Sequence, residues 1–309
     1  MSLLAVIAIS SQMSSALVVA RAATIDDSLR TRVEHRIAEV PGATVAVAFR
    51  DLTRADTLYL AADERFHAAS TMKVPVMIEL FRQIDRHRLS LTQQLELKNE
   101  FASIVDGSPY TLNAGDDSDS LVYTWVGSPV SVHELLEHMI TRSSNLATNT
   151  LIGVVGASAA NATAHALGAR DIQVLRGVED GKAYAAGMNN MTTARDLATL
   201  MTAIETGAAA SRASTDSMRA VLTRQQFNDE IPAGLPPGTR VAHKTGQITG
   251  HLHDAAVVYP QERGPYVLVV LTRGIDDEKV ARSLIADISR LVYEHATRAS
   301  SASAARDSR

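Results

Sequence analysis

The stretch 240-RVAHKTGQITGHLHDAAVVYPQERGPYVLVVLTRG-274 decides the architecture. Its runs Arg240 to Thr245, Asp254 to Tyr259 and Tyr266 to Thr272 are short, rich in valine and separated by glycine- and proline-bearing breaks, which predicts three strands. Working outward, Asp276 to His295 reads as a closing helix. At the other end, Ile25, Leu29, Val33 and Ile37 recur every four positions and predict a helix that stops at Pro41-Gly42. Thr44 to Arg50 and Thr57 to Leu60 then form a hairpin turning near Arg54-Ala55-Asp56. Between the two ends the apolar spacing is helical, over Thr71 to about Arg86 and near 131–140, 145–154, 158–166, 193–205 and 214–222. Strands at both ends with helices between them predict a mixed α/β fold, one antiparallel sheet assembled from both chain ends and flanked by helices, with an inserted all-helical domain. The expected boundaries are 24–70 plus 226–298 for the sheet domain and 71–225 for the helical one, followed by a polar, disordered tail over 299–309.

The 309 residues are 46% hydrophobic and 21% charged, with a net charge of −4 and no cysteine. Such a chain builds a sizeable core, and disulfides and thiolate metal sites are excluded. The slight acidity, spread without blocks, argues against nucleic acid and against a polybasic membrane patch. Leu3 to Ile9 is unbroken apolar, and Ala20 to Ala23 carries small residues suited to cleavage, so 1–23 reads as a signal peptide. Serines at 10, 11, 14 and 15 make it a poor permanent anchor.

Two of the five lysines fall in short motifs, Ser70-Thr71-Met72-Lys73 and Lys244-Thr245-Gly246, with Ser143-Ser144-Asn145 between them. The i, i+3 spacing places the Ser70 hydroxyl and the Lys73 amine on one helix face, a nucleophile beside a base. Lysine accepts a proton only when partly neutral, which burial or a second cation promotes. With 26 serines and five lysines, chance alone yields roughly 0.4 Ser-x-x-Lys matches, so it is the order and setting that carry weight. The first motif opens a helix, the second joins two helical segments, and the third ends a strand.

This arrangement resembles the serine β-lactamase and penicillin-binding-protein superfamily, and within it class A β-lactamases, over roughly Ile25 to Arg298. Asn145 and Asn149 match the asparagines of the family's Ser-Asn-x-x-x-Asn run. The resemblance implies that Ser70 attacks the lactam carbonyl and becomes acylated, while Lys73 takes or relays its proton. It implies that Ser143 passes a proton to the departing nitrogen and that Asn145 bonds the substrate amide and Lys73. Lys244, with Thr245 and Gly246, would meet the substrate carboxylate, and the backbone N–H groups of Ser70 and Gln247 would hold the oxyanion. The substrate would be a small-molecule β-lactam, handled outside the cytoplasmic membrane by a monomer without cofactor or metal.

Hydrolysis rather than lasting acylation needs a base that aims water at the ester. The resemblance points to Glu179, in Arg176-Gly177-Val178-Glu179-Asp180-Gly181-Lys182. Two departures favour the alternative, a D,D-peptidase or related acyl-hydrolase: Ala183 replaces the asparagine four residues after the glutamate, and Ser144 the middle aspartate of Ser-Asp-Asn. A non-enzymatic penicillin sensor would need no Glu179. Without a pairing role in deacylation, Glu179 would be an exposed carboxylate or a partner of Arg176 or Lys182. His251 and His253 share a strand face, but no third ligand follows. Either Arg273 or Lys244 with Thr245 could replace the family's carboxylate-binding arginine. The long stretch 99–128, with Tyr110, Tyr123 and Trp125, could wall the cleft or pack away from it.

Overall fold

The computed structural model describes residues 29–261 and 263–307, so the expected leader over 1–23 lies outside the described residues. Helix α1 covers 29–38, and strands β1 (Thr44–Asp51) and β2 (Thr57–Leu60) follow as a hairpin. The C-terminal strands are β3 (Arg240–Ile248), β4 (His251–Tyr259) and β5 (Tyr266–Arg273). They form one five-stranded antiparallel sheet in the order β2-β1-β5-β4-β3. The junction between the two chain ends is the β1–β5 ladder, running from Thr44↔Arg273 to Asp51↔Tyr266.

Each strand sends alternate residues to opposite faces, and here both faces are covered, which is why the strands read as nearly continuous apolar runs. Val45, Val47, Phe49, Leu268 and Val270 face α1 and the closing helix α9 (Glu278–Asp307), meeting Leu29, Val33, Leu284 and Ile288. The alternating set Ala46, Ala48, Val267, Val269 and Leu271 faces the helical layer. That layer contains α2 (Lys73–Asp85), α3 (Val132–Thr141), α4 (Asn145–Val155), α5 (Ala157–Ala166), the short α6 (Gly181–Ala185), α7 (Ala194–Thr206) and α8 (Arg212–Thr223). Helix α2 is its centre, buried continuously from Lys73 to Phe81 because apolar residues occupy every side of it. Pro75 is tolerated there because it falls in the first turn of the α-helix.

The stretch 71–225, expected as all helical, also holds short antiparallel pairs, Gln94–Glu96 with Pro129–Ser131 and Phe101–Ala102 with Pro109–Tyr110, where backbone hydrogen bonds close the long loop on itself. Three boundaries differ from expectation as well. The Ser70 motif lies in a 3-10 turn, Ala69–Met72, that feeds into α2, so Ser70 precedes the α-helix by one turn. The Lys244 motif sits inside β3, which continues to Ile248 because its last residues pair with His251 to Asp254 across a tight turn, with Gly250 at φ +69°. Residues 299–307, expected as a tail, continue α9, in keeping with alanines at 299, 302, 304 and 305 and their high helix propensity.

Candidate active site

The 3-10 turn with Ser70, the α3–α4 junction and the middle of β3 converge at the edge of the sheet. Gly246 makes this possible: a Cβ there would stand 3.2 Å from the Ser70 backbone nitrogen and 3.1 Å from that of Thr71. The cleft they line, about 690 Å³, presents Ser70, Ser143, Asn145, Thr245 and Gln247. A recess of about 310 Å³ on the other side of Ser70 and Asn145 holds Glu179, His67, Arg176 and Tyr184.

Lys73 is wholly buried at the head of α2. Its Nζ lies 2.9 Å from Ser70 Oγ, 2.6 Å from Ser143 O, 3.0 Å from Ser143 Oγ and 3.1 Å from Asn145 Oδ1. An ammonium has only three protons for those four oxygens. A neutral amine has two, plus a lone pair that can receive the Ser70 hydroxyl. Burial pushes the Lys73 pKa down from 10.5 to about 7, against the opposing pull of Asp117 and Glu179, so both forms are populated near neutrality. Lys244, equally buried, donates to Ser143 Oγ at 3.0 Å and to Thr245 O at 2.8 Å. Burial first, and then the neighbouring Lys73, hold it well below the ordinary lysine value. Ser143 Oγ therefore meets two lysines, and accepting from both leaves its own proton free to turn toward the cleft.

Backbone strain concentrates here. Ser143 (φ +60°) and Glu179 (φ +61°) occupy the left-handed region without being glycine, as does Ala69 (φ +45°) beside Ser70. Each such residue costs on the order of 1–3 kcal/mol and persists only where its surroundings impose it. For Glu179 those surroundings are explicit. Asn149 accepts from Val178 N at 2.6 Å and donates to Val178 O at 3.0 Å, while Asn190 accepts from Leu175 N and Arg176 N. Asp180 caps α6 and ties the loop to Ser103 and Ile104. Arg176 donates to Met188 O, Gly177 O and Asn189, and Lys182 to Asp106 and Ser108. Neither pairs with Glu179, whose Oε1 accepts from Asn145 Nδ2 at 2.6 Å. Burial raises the Glu179 pKa and the Asn145 bond partly opposes this. A Cβ at Gly177 would stand 2.5 Å from Asn149 Oδ1. Gly177→Ala should therefore eject Asn149 from the loop and cost the fold on the order of 1–3 kcal/mol; an unchanged thermal unfolding midpoint would refute this.

Sequence reasoning missed two groups. Asp117, 9% exposed, accepts from the backbone N–H of Asn145 (2.8 Å) and Leu146 (3.0 Å) and from the Tyr123 hydroxyl (3.0 Å). Its only sequence signal is the acidic run Asp116-Asp117-Ser118-Asp119. Arg282, from α9, reaches the cleft beside Gln247 and Glu230. Arg273 instead turns away, binding Glu64 at 2.6 Å and Arg65 O and covering the Phe66 ring. The cleft receives Asp116 and Ser118 from the 99–128 stretch, while its aromatics brace from behind: Tyr110 bonds Val178 O and Asn149, and Trp125 packs edge-on to His138. His253 is buried, with Nε2 2.9 Å from His67 O and Nδ1 3.2 Å from Thr272 N, and burial lowers its pKa to about 4. Gln247 directs its side chain outward to Glu278, and it lines the cleft together with Ser70.

Residues 28–296 match the model of the Beta-lactamase enzyme family. The β-lactamase AST-1 of Nocardia asteroides is 30% identical over 281 residues, 87% of this chain and 86% of that protein. A solved β-lactamase from Sphaerobacter thermophilus is similar at a TM-score of 0.73 and 30% identity, over 84% of this chain and 95% of that one. A mutant of PBP-A solved as an acyl-enzyme complex with penicillin G is similar at a TM-score of 0.76 and 28% identity, over 88% and 97%.

Proposed function

The chain belongs to the β-lactamase enzyme family, and we propose that it hydrolyses the β-lactam amide through an acyl-enzyme on Ser70 that is released by water activated by Glu179. Neutral Lys73 takes the Ser70 proton as the hydroxyl attacks the carbonyl. The oxyanion forms between the backbone N–H groups of Ser70 and Gln247, donors that are worth about 3–4 kcal/mol each. Ser143 delivers its free proton to the departing ring nitrogen and is resupplied through the two lysines that touch it. Thr245 and Gly246 line the cleft where the substrate carboxylate would sit, with the buried Lys244 behind them on Ser143, and Asn145 bonds the side-chain amide.

The observation that carries the reading is the Lys73–Asn145–Glu179 chain, 3.1 Å on one side and 2.6 Å on the other, with no cation among the described residues in a salt bridge to the carboxylate. A glutamate raised by burial, and placed in the same recess as Ser70, is suited to take a proton from water. The second reading, a D,D-peptidase or other penicillin-binding acyl-hydrolase that deacylates slowly, is favoured by the buried Ala183, which offers no side-chain group to hold the water, and by the likeness to PBP-A. Intact-mass measurement of wild-type protein with benzylpenicillin over time separates the two. Hydrolysis predicts a transient penicilloyl adduct on Ser70 and multiple turnovers; an adduct persisting for minutes selects the second reading.

A cell-wall or β-lactam acyl enzyme acts outside the cytoplasmic membrane, in keeping with the expected leader over 1–23, and no helix among the described residues is long and apolar enough to span a membrane. The sheet unit is taken as 24–70 plus 226–298 and the helical unit as 71–225, in a monomer.

A further inference from the structure

The middle of the second motif is Ser144, where the resemblance leads one to expect an acidic residue at the start of α4. The structure supplies a carboxylate from elsewhere. The first N–H groups of α4 are satisfied from two sources: Asn145 N and Leu146 N donate to Asp117 Oδ2, and Ala147 N donates to Ser144 Oγ at 3.2 Å. Thr148 N is already bonded to Ser144 O. Ser144 can cap only part of the turn, and without Asp117 two donors at a buried helix start would lose their acceptor. The carboxylate also sits at the positive end of the helix dipole, where a negative charge is most stabilising.

We propose that Asp117 is a positioning residue for the reaction. It anchors the backbone of Asn145, and through Asn145 it sets the separation of Lys73 and Glu179. The links are short. Asn145 Oδ1 meets Lys73 Nζ at 3.1 Å and Asn145 Nδ2 meets Glu179 Oε1 at 2.6 Å, so any shift of its backbone is felt at both groups at once. The Asp117 carboxylate in turn is held by the Tyr123 hydroxyl at 3.0 Å and by the Asp119 backbone N–H at 3.0 Å. Asp119 closes the scaffold through His138 at 2.5 Å, on which Trp125 packs. The long 99–128 stretch is thereby a bracket for the catalytic groups. The charged groups facing Lys73 are Asp117 from this stretch, Glu179 from its loop and Lys244 from β3. Asp117 favours the protonated amine of Lys73 and disfavours the ionised carboxyl of Glu179.

The proposal rests on the Ser70 acyl-enzyme reading, so the test begins with wild type: if benzylpenicillin does not acylate Ser70, that reading fails first and independently. Given acylation, Asp117→Asn keeps size and one acceptor but removes the charge. The expected result is about a tenfold loss of kcat/KM at the optimum, with the acid limb of the acylation rate moved to lower pH, since the Lys73 amine then loses its proton more readily. The double variant Asp117→Asn/Ser144→Asp returns a carboxylate to the helix start, and is expected to move the acid limb back and recover activity at least threefold. It also serves if the single variant does not fold. An acid limb that stays in place in Asp117→Asn while only thermal stability falls, or a double variant that folds without recovering either quantity, overturns the proposal.

Discussion

In Glu179→Gln, Ser70 is expected to be acylated by benzylpenicillin at close to the wild-type rate and then to remain acylated, with hydrolysis slowed by roughly 10³-fold, within the range general bases contribute. Glutamine matches glutamate in shape, and its Oε1 can still accept from Asn145 Nδ2, so the 2.6 Å bond and the left-handed loop residue are retained while basicity is lost. The variant thus isolates proton abstraction from positioning. In wild type, burial raises the Glu179 pKa, so deacylation should decline on acidification from a pH above the ordinary glutamate range. Stopped-flow rates joined to intact mass give both steps. Unchanged turnover in the variant would sink the assignment of Glu179.

Lys73→Ala is expected to strike the earlier step, reducing acylation by roughly 10³-fold with little adduct accumulating. The loss should exceed that of substituting Ser143 or Asn145 alone, because one amine serves Ser70, Ser143 and Asn145 together. The same group dictates the wild-type pH profile. With a pKa of about 7, Lys73 is mostly protonated below neutrality and mostly an amine above it, so acylation should climb as pH rises through that value and level off beyond it. A rate flat across that range, or a variant acylated as fast as wild type, would remove Lys73 as the base.

What could be read in advance followed the range of the interactions. Helices and strands announce themselves through periodic burial, and the segments around Val132–Thr141, Asn145–Val155 and Ala194–Thr206 were legible to within a residue or two. Ser70 and Lys73 were legible because residue type and local spacing together encode a donor–acceptor geometry; Ser143, Asn145 and Lys244 were singled out through the resemblance, and the structure brings all five together. Glu179 was found only by likeness, since a carboxylate in a loop has no periodicity; its partner Asn145 comes from a different element. Asp117 was invisible for a sharper reason. It acts on backbone N–H groups, which every residue possesses, so nothing at Asn145 or Leu146 marks them as its targets. Arg273 and Arg282 are equivalent as letters, and only the packing of β5 against Glu64 and of α9 along the cleft tells them apart.

The ladder between β1 and β5 carries a kinetic meaning. Thr44 pairs with Arg273 and Asp51 with Tyr266, so the sheet closes only after nearly the whole chain exists. Contacts of such sequence separation form late and slowly, because the entropy of closing the intervening loop must be met first. Lys244 belongs to the late strands, and the enclosure it shares with Lys73 over Ser143 cannot precede them. Burial is what lowers the Lys73 pKa, so before that enclosure forms the amine is expected to keep its proton and to have no lone pair for the Ser70 hydroxyl. Reactivity at Ser70 is therefore expected to follow the docking of the sheet.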